Sequence, residues 1–237
     1  MIKRLAIVPA RGGSKRIKNK NILNFCGKPM ISYILDTAKR SNLFKKIHVS
    51  TDDNKIRDIV ESLGYPIDFM RPEHLADDYT PILPVLKYVT EQYMGRGLIF
   101  DQIWLLMACS PFTEDQDFIA ADKLFFEAGQ KKSVLAVTEY PVPIEWAFTI
   151  SDNNQLKPVN PGMFATRSQD IKKKYYDTGT FAVFPSNYLL SHDESGLDTE
   201  FVGYVMKKGS AIDIDDEEDL AFAEKIFTAN QIQNKKK

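Results

Sequence analysis

Leu5-Ala6-Ile7-Val8-Pro9-Ala10-Arg11-Gly12-Gly13-Ser14-Lys15-Arg16-Ile17-Lys18-Asn19-Lys20-Asn21 passes from an apolar run straight into a basic, glycine-bearing loop. The run is a candidate first strand, stopped at Pro9. Gly12 and Gly13 permit positive φ and let a ligand approach the main chain. Successive amide N–H groups in such a turn can form an anion-holding concavity. Arg11, Lys15, Arg16, Lys18 and Lys20 put five cations within ten positions, a density that a polyanion or solvent must compensate. Solvated surface or a nucleic-acid patch is the plainer explanation. The setting favours a triphosphate cradle: strand, loop, then helix, in an α/β chain whose ligands bind beyond the carboxyl ends of the strands. The spacing is neither Gly-x-Gly-x-x-Gly nor a P-loop ending in Lys-Ser/Thr, which disfavours a dinucleotide or kinase-type site.

The remainder of the composition narrows the partners. At 237 residues the chain suits a single domain, 1–237, with room for an inserted lobe. Its 43% hydrophobic and 27% charged residues are ordinary for a globular protein. A net charge of −1 gives no general attraction to nucleic acid, so a small anionic substrate suits the basic loop better than a duplex. Cys26 and Cys109 show neither metal-ligand spacing nor a disulfide framework, which predicts a reducing, cytoplasmic setting. No signal peptide and no membrane span are expected. The tail 234–237 is expected to fray.

Along the chain, strands and helices alternate. Pro29 suits a first helical turn, and Met30, Ile31, Ile34, Leu35 and Ala38 share one helical face. A strand is expected over 47–51, with Asp52-Asp53 capping a helix that carries Ile56, Ile59, Val60 and Leu63 and stops at Gly64. A short strand is expected over 67–70, then a loop over 71–79, then a helix opened by Thr80-Pro81. The apolar run Ile103-Trp104-Leu105-Leu106-Met107 reads as a doubly covered strand. A helix over 117–128 and strands over 133–137 and 180–184 complete a mostly parallel sheet flanked by helices. Between these last strands, 140–178 is rich in Pro and aromatics without a clean period. So long a structureless loop is improbable, so the segment is expected to be an inserted lobe, with aromatics suited to a dimer interface.

Near the end, Ala211-Ile212-Asp213-Ile214-Asp215 puts two carboxylates on one side of an extended chain, roughly 6.5–7 Å apart at their Cα atoms. Such a pair can share Mg²⁺. Asp216, Glu217, Glu218 and Asp219 are expected to cap and charge a final helix with Leu220, Ala223 and Phe227 on its apolar face. His48, His74 and His192 have no paired spacing and are expected to be structural or on the surface.

Several stretches together resemble the acylneuraminate cytidylyltransferases, over nearly the whole chain. They are 7–15, Asn19-Lys20-Asn21-Ile22, Gly27-Lys28-Pro29, Val49-Ser50-Thr51-Asp52, Arg71-Pro72, Leu75-Ala76-Asp77-Asp78 and Asp213-Ile214-Asp215. Within that family the pseudaminic-acid branch is most similar, through 141–147, Arg167-Ser168-Gln169-Asp170 and Tyr176-Asp177-Thr178-Gly179. The resemblance implies a Rossmann-like nucleotidyltransferase fold, a homodimer joined through the lobe, and CTP, Mg²⁺ and a nonulosonic acid as requirements. It implies that Ala10, Arg11, Gly12, Gly13, Lys15, Lys20 and Asn21 hold CTP, with Arg71 and Thr80 near the cytidine. Asp213 and Asp215 match the metal pair, and with Arg11 and Lys20 form the expected catalytic set. Met107, Arg167, Gln169 and Tyr176 fall where the sugar or the partner subunit is met.

One departure bears on the substrate. Sialic acid enzymes usually carry Gln-Pro-Thr-Ser-Pro where this chain has Met107-Ala108-Cys109-Ser110-Pro111. Losing the glutamine amide loosens the demand for a polar partner. Pseudaminic acid, with more methyl and less hydroxyl, is therefore expected ahead of legionaminic acid, N-acetylneuraminic acid or the eight-carbon octulosonate. A non-catalytic nucleotide-binding module is the remaining alternative.

Overall fold

A computed structural model describes residues 2–191 and 201–234; His192 and 235–237 lie outside this range. In chain order the elements are β1 (Arg4–Pro9), the ribbon β2 (Asn24–Phe25) and β3 (Lys28–Pro29), α1 (Met30–Arg40), β4 (Lys46–Ser50), α2 (Asn54–Ser62) and α3 (Ile82–Gly95). There follow β5 (Gln102–Leu106), α4 (Asp115–Glu127), β6 (Val134–Glu139), the hairpin β7 (Phe148–Ile150) and β8 (Leu156–Pro158), and β9 (Tyr175–Pro185). The chain closes with α5 (Ser186–Ser191), β10 (Val202–Val205) and α6 (Glu217–Asn234).

The central sheet runs β10-β6-β9-β5-β1-β4. Its neighbours pair in parallel except at β9, which is antiparallel to both β5 and β6. Period-2 alternation in β1 explains the layering. Ala6 and Val8 enter a core with Ile34 and Leu35 of α1, Val60 of α2 and Phe118 of α4. Leu5 and Ile7 point the other way, into a core with Leu86 and Tyr93 of α3 and Leu189 of α5. Both faces are thus covered, as the unbroken apolar run requires.

A third apolar cluster lies beyond the sheet. Ile17 from the basic loop, Phe25 from the ribbon and Met30 from α1 pack with Ile214 and Ala223 from the chain's end. Each fully buried Ile of this kind contributes about 1.5–3 kcal/mol. The cluster fastens the basic loop to the segment that carries the two aspartates.

Three local expectations change. Residues 67–70 form no strand; side chains hold them instead. Phe69 stacks on His48 at 4.4 Å between ring centroids, and Asp68 meets Lys46 and the Tyr93 hydroxyl, each at 2.6 Å. Strand β9 begins at Tyr175, not 180, and the chain leaves the sheet between Glu139 and that residue. Its register with β6 shifts between Leu135 and Val137, opposite the positive-φ Gly179 (φ 61°). Finally, α5 packs beside the sheet and the short strand β10, which contains Gly203, joins the sheet's edge next to β6, both without an earlier signal.

Candidate functional site

From β1 the chain goes to β4 on one side and later to β5 on the other. The carboxyl ends of β1 and β5 therefore border a topological switch point, where open α/β sheets bind ligands. A cleft of about 510 Å³ opens there. The basic loop supplies Arg11, Lys15, Arg16, Lys20 and Asn21 to its wall. Arg71, Asp78 and Thr80 come from the loop before α3, Ile82 and Val85 from α3, Met107 from the end of β5, and Asp215 from the chain's end.

The glycines work differently from the expectation. Neither Gly12 nor Gly13 has positive φ; in this region Asn19 (φ 56°) and Cys26 (φ 46°) do. Gly12 is required by close approach, because a Cβ there would stand 2.5 Å from the Asp53 carboxylate. Its N–H donates to Asp52 Oδ1 at 3.1 Å, and the Ser14 N–H donates to the Gly12 carbonyl at 3.0 Å. Those amides are thus committed within the protein, and side-chain cations carry the positive character of the cleft. Ala10 is buried beneath it, its N–H donating to the Ser50 carbonyl at 2.9 Å. Asn21 ties the loop together by donating from Nδ2 to the Arg11 carbonyl at 3.0 Å.

Lys20 crosses a long sequence gap. Its Nζ donates to the Ile214 carbonyl, 194 residues away, and lies 3.2 Å from Asp215 Oδ1. Arg16 Nη2 reaches the same oxygen at 2.8 Å. Partial burial would raise the Asp215 carboxyl, but Lys20 and Arg16 hold it below the usual range. Asp213 shifts the other way: it is open to solvent on one side, yet burial on the other raises it, and the charge of Asp215 adds to the rise. The buried Ile214 sets this arrangement, anchoring one face of the chain while both acids emerge beside it. Asp219 accepts from the Asp215 and Asp216 N–H groups at 2.9 and 3.2 Å, and Asp216 accepts from the Asp219 N–H at 2.9 Å. The last two bonds form a reciprocal cap on α6, as the acidic run predicted.

Behind the opposite wall, Arg71 is buried and held by Ser50, with Nη2 2.6 Å from its carbonyl and Nε 3.1 Å from its hydroxyl. Burial lowers its guanidinium to about 10. Thr80 is fixed by donating its N–H to Asp77 Oδ1 at 2.6 Å. Cys109 is a free thiol that burial pushes up to about 12, beside Asn21 Oδ1 at 3.6 Å, which keeps it in the inert thiol form. His48 is buried in the core, as a structural histidine, and His74 is exposed.

Three sugar-site expectations fall elsewhere. Arg167 is exposed and pairs with Asp170 at 2.8 Å; Tyr176 packs against Tyr140. Gln169 lines a separate groove of about 430 Å³ between 139–145 and 168–174. Only Met107 of that set lines the cleft. Conversely, Arg16, named only among the loop's cations, and Asp78, which had a signal in the Leu75-Ala76-Asp77-Asp78 stretch, belong to the cleft without having been assigned a binding role.

The aspartate pair suits one kind of metal. Among the described residues no group of three or more His, Cys, Asp or Glu could hold an ion alone. Mg²⁺ is commonly bound by one or two carboxylates plus substrate phosphates, with no all-protein cage. Two hard oxygen donors, one with its carboxyl raised by burial and then by its neighbour's charge, fit that chemistry.

The family described as cytidylyltransferase matches residues 5–96. A pseudaminic acid cytidylyltransferase of Campylobacter jejuni serotype O:2 is 34% identical, the match covering 97% of this chain and 98% of the relative. An N-acylneuraminate cytidylyltransferase of Escherichia coli O18:K1:H7 is 30% identical over 98% of this chain and 53% of the relative. A CMP:2-keto-3-deoxy-manno-octonic acid synthetase complexed with CTP shares the fold, with a TM-score of 0.70 at 15% identity, over 96% of this chain and 99% of that one. The chain belongs to the cytidylyltransferase family that contains the pseudaminic acid and N-acylneuraminate enzymes.

Proposed function

We propose that this protein transfers CMP from CTP to the anomeric hydroxyl of a nonulosonic acid, pseudaminic acid first among them. The observation that carries the reading is Lys20 bridging to Ile214 and Asp215, which brings Asp215 to the cationic loop in one cleft, with Asp213 two residues before it. The sugar oxygen would form a bond to the α-phosphorus as the bond to the leaving pyrophosphate breaks, and the hydroxyl proton would pass to solvent. Arg11, Lys15 and Lys20 would offset charge growing on the pyrophosphate, so positioning and electrostatics supply most of the acceleration. Asn21 would hold the loop in shape, while Arg71 and Thr80 face the nucleoside end. Mg²⁺, held by Asp213 and Asp215, would supply Lewis-acid charge at the reacting oxygens. Met107 offers an apolar contact where a methyl-bearing sugar would lie.

The lobe supports a homodimer, because Phe164, Ile150 and Leu156 are 68%, 65% and 61% exposed there. Arg167, Gln169 and Tyr176 lie in or beside that lobe, so any contact they make with the sugar would come across such an interface. A cytoplasmic location suits CTP as substrate and two free thiols. No helix among the described residues is long and apolar enough to cross a membrane. To test the function, the protein is incubated with CTP, Mg²⁺ and, in turn, pseudaminic, legionaminic, N-acetylneuraminic and octulosonic acids, and pyrophosphate is followed. Fastest release with pseudaminic acid is expected. CTP binding without release from any acid would instead mark a non-catalytic nucleotide-binding module.

A further inference from the structure

The cleft's cations are engaged by carboxylates of the protein itself. Asp78 spans two of them: Oδ1 lies 2.9 Å from Arg11 Nη1, and Oδ2 contacts Lys15 Nζ. Arg11 also donates to the Asp77 carbonyl at 2.6 Å. The neighbouring acid has a different task. Asp77 turns its own carboxylate back into the loop, accepting from the Tyr79 and Thr80 N–H groups at 3.0 and 2.6 Å. Asp77 therefore shapes the turn, and of these two acids it is Asp78 whose carboxylate is presented to Arg11 and Lys15.

A carboxylate with one oxygen on a guanidinium and the other on an ammonium offers what two phosphate oxygens would offer. We propose that Asp78 is a placeholder for a phosphate group: it occupies Arg11 and Lys15, yields them to the incoming triphosphate, and reclaims them as pyrophosphate departs. The role as a pyrophosphate-release residue rests on the cytidylyltransferase reading, whereas the competition for the cations needs only the geometry. Being tethered on the cleft wall, Asp78 competes at high effective concentration. It weakens the binding of CTP and of pyrophosphate together, and so favours release, a step that often limits turnover.

The test compares Asp78→Asn with Asp77→Asn and the parent, using inorganic tripolyphosphate in calorimetry and CTP in steady-state assays. Asp78 is partly exposed and outside the core, so its amide variant retains the fold. Two exposed ion pairs correspond to a gain of roughly three- to tenfold, seen as tighter tripolyphosphate binding, a lower KM for CTP and stronger inhibition by pyrophosphate, with kcat not raised. Asp77→Asn gives no such gain. Unchanged or weaker tripolyphosphate binding in Asp78→Asn overturns the proposal. So does an equal gain in Asp77→Asn, because loosening the loop would then suffice. Tighter binding in Asp78→Asn with no pyrophosphate from any acid in any of the proteins would leave the placeholder standing and remove the transferase reading instead.

Discussion

At the carboxyl edge of the sheet, Arg11, Lys15, Arg16 and Lys20 each meet an aspartate from a distant part of the chain. In the lobe, charges pair within the lobe and its base, as Arg167 does with Asp170 and Lys174 with Glu145, and large apolar side chains stay exposed. The cleft has therefore satisfied its charges provisionally, with partners that a polyanion can replace. The lobe holds large side chains that only another surface can cover. In the proposed reading one region serves a small charged substrate and the other a second copy, although both are rich in Lys and Arg in the sequence.

The largest effect that would break this contrast is on the carboxylate side. Asp215→Ala should lower the rate of pyrophosphate release on the order of a thousandfold at saturating Mg²⁺, since charge on the reacting phosphate goes uncompensated. A near-parental rate would remove Asp215 from the metal site. Lys20→Ala should reduce kcat/KM for CTP about a hundredfold while the KM for the sugar moves little; an unchanged CTP requirement would take Lys20 out of the cradle. On the lobe side, Phe164→Asp should weaken self-association about thirtyfold in sedimentation, as expected for a central aromatic at an interface. A parent that sediments as a monomer at every concentration breaks that half of the comparison.

The smallest effect probes the packing behind the cleft. Burial holds His48 down from 6.5 to about 3, against the opposing charge of Asp68. The unfolded chain binds this proton across that window and the folded chain does not. Stability should therefore fall as pH drops from 6.5 towards 3, by up to about 1.4 kcal/mol per pH unit from this group. His48→Gln should flatten the slope in denaturant melts; an unaltered slope would mean that His48 is protonated in the fold.

Much of this was legible from the chain. The apolar run of β1, the Asp53 cap and the face of α1 are local signals, and local physics decides them. Asp53 accepts from the Lys55 and Ile56 N–H groups at 2.6 and 3.1 Å, as its position before a helix suggests. Gly12 was legible as a special position but not for the right reason, because the approach of Asp53 is a tertiary contact. Residues 67–70 looked like a strand because Ile67, Phe69 and Met70 are apolar around a single Asp68, yet Phe69 stacks with His48 and Asp68 bonds to Tyr93. The lobe's break in rhythm was visible, but the bulge near Gly179 that lets β9 start early depends on its pairing with β6. Asp78 sat in a recognised stretch, and its partner Lys15 sits 63 positions earlier, beyond what periodicity can read.

The contact of Ile17 with Ile214 in one apolar cluster has a consequence for biosynthesis. Translation delivers the cationic loop long before Asp213 and Asp215. A nascent chain that has not yet emerged past residue 215 has sheet and loop but no carboxylate couple, so competence arrives only as the closing helix docks. Any truncation that removes α6 should strip Ala223 from the cluster that backs Ile17 and Ile214, and the defect should be one of assembly before it is one of chemistry.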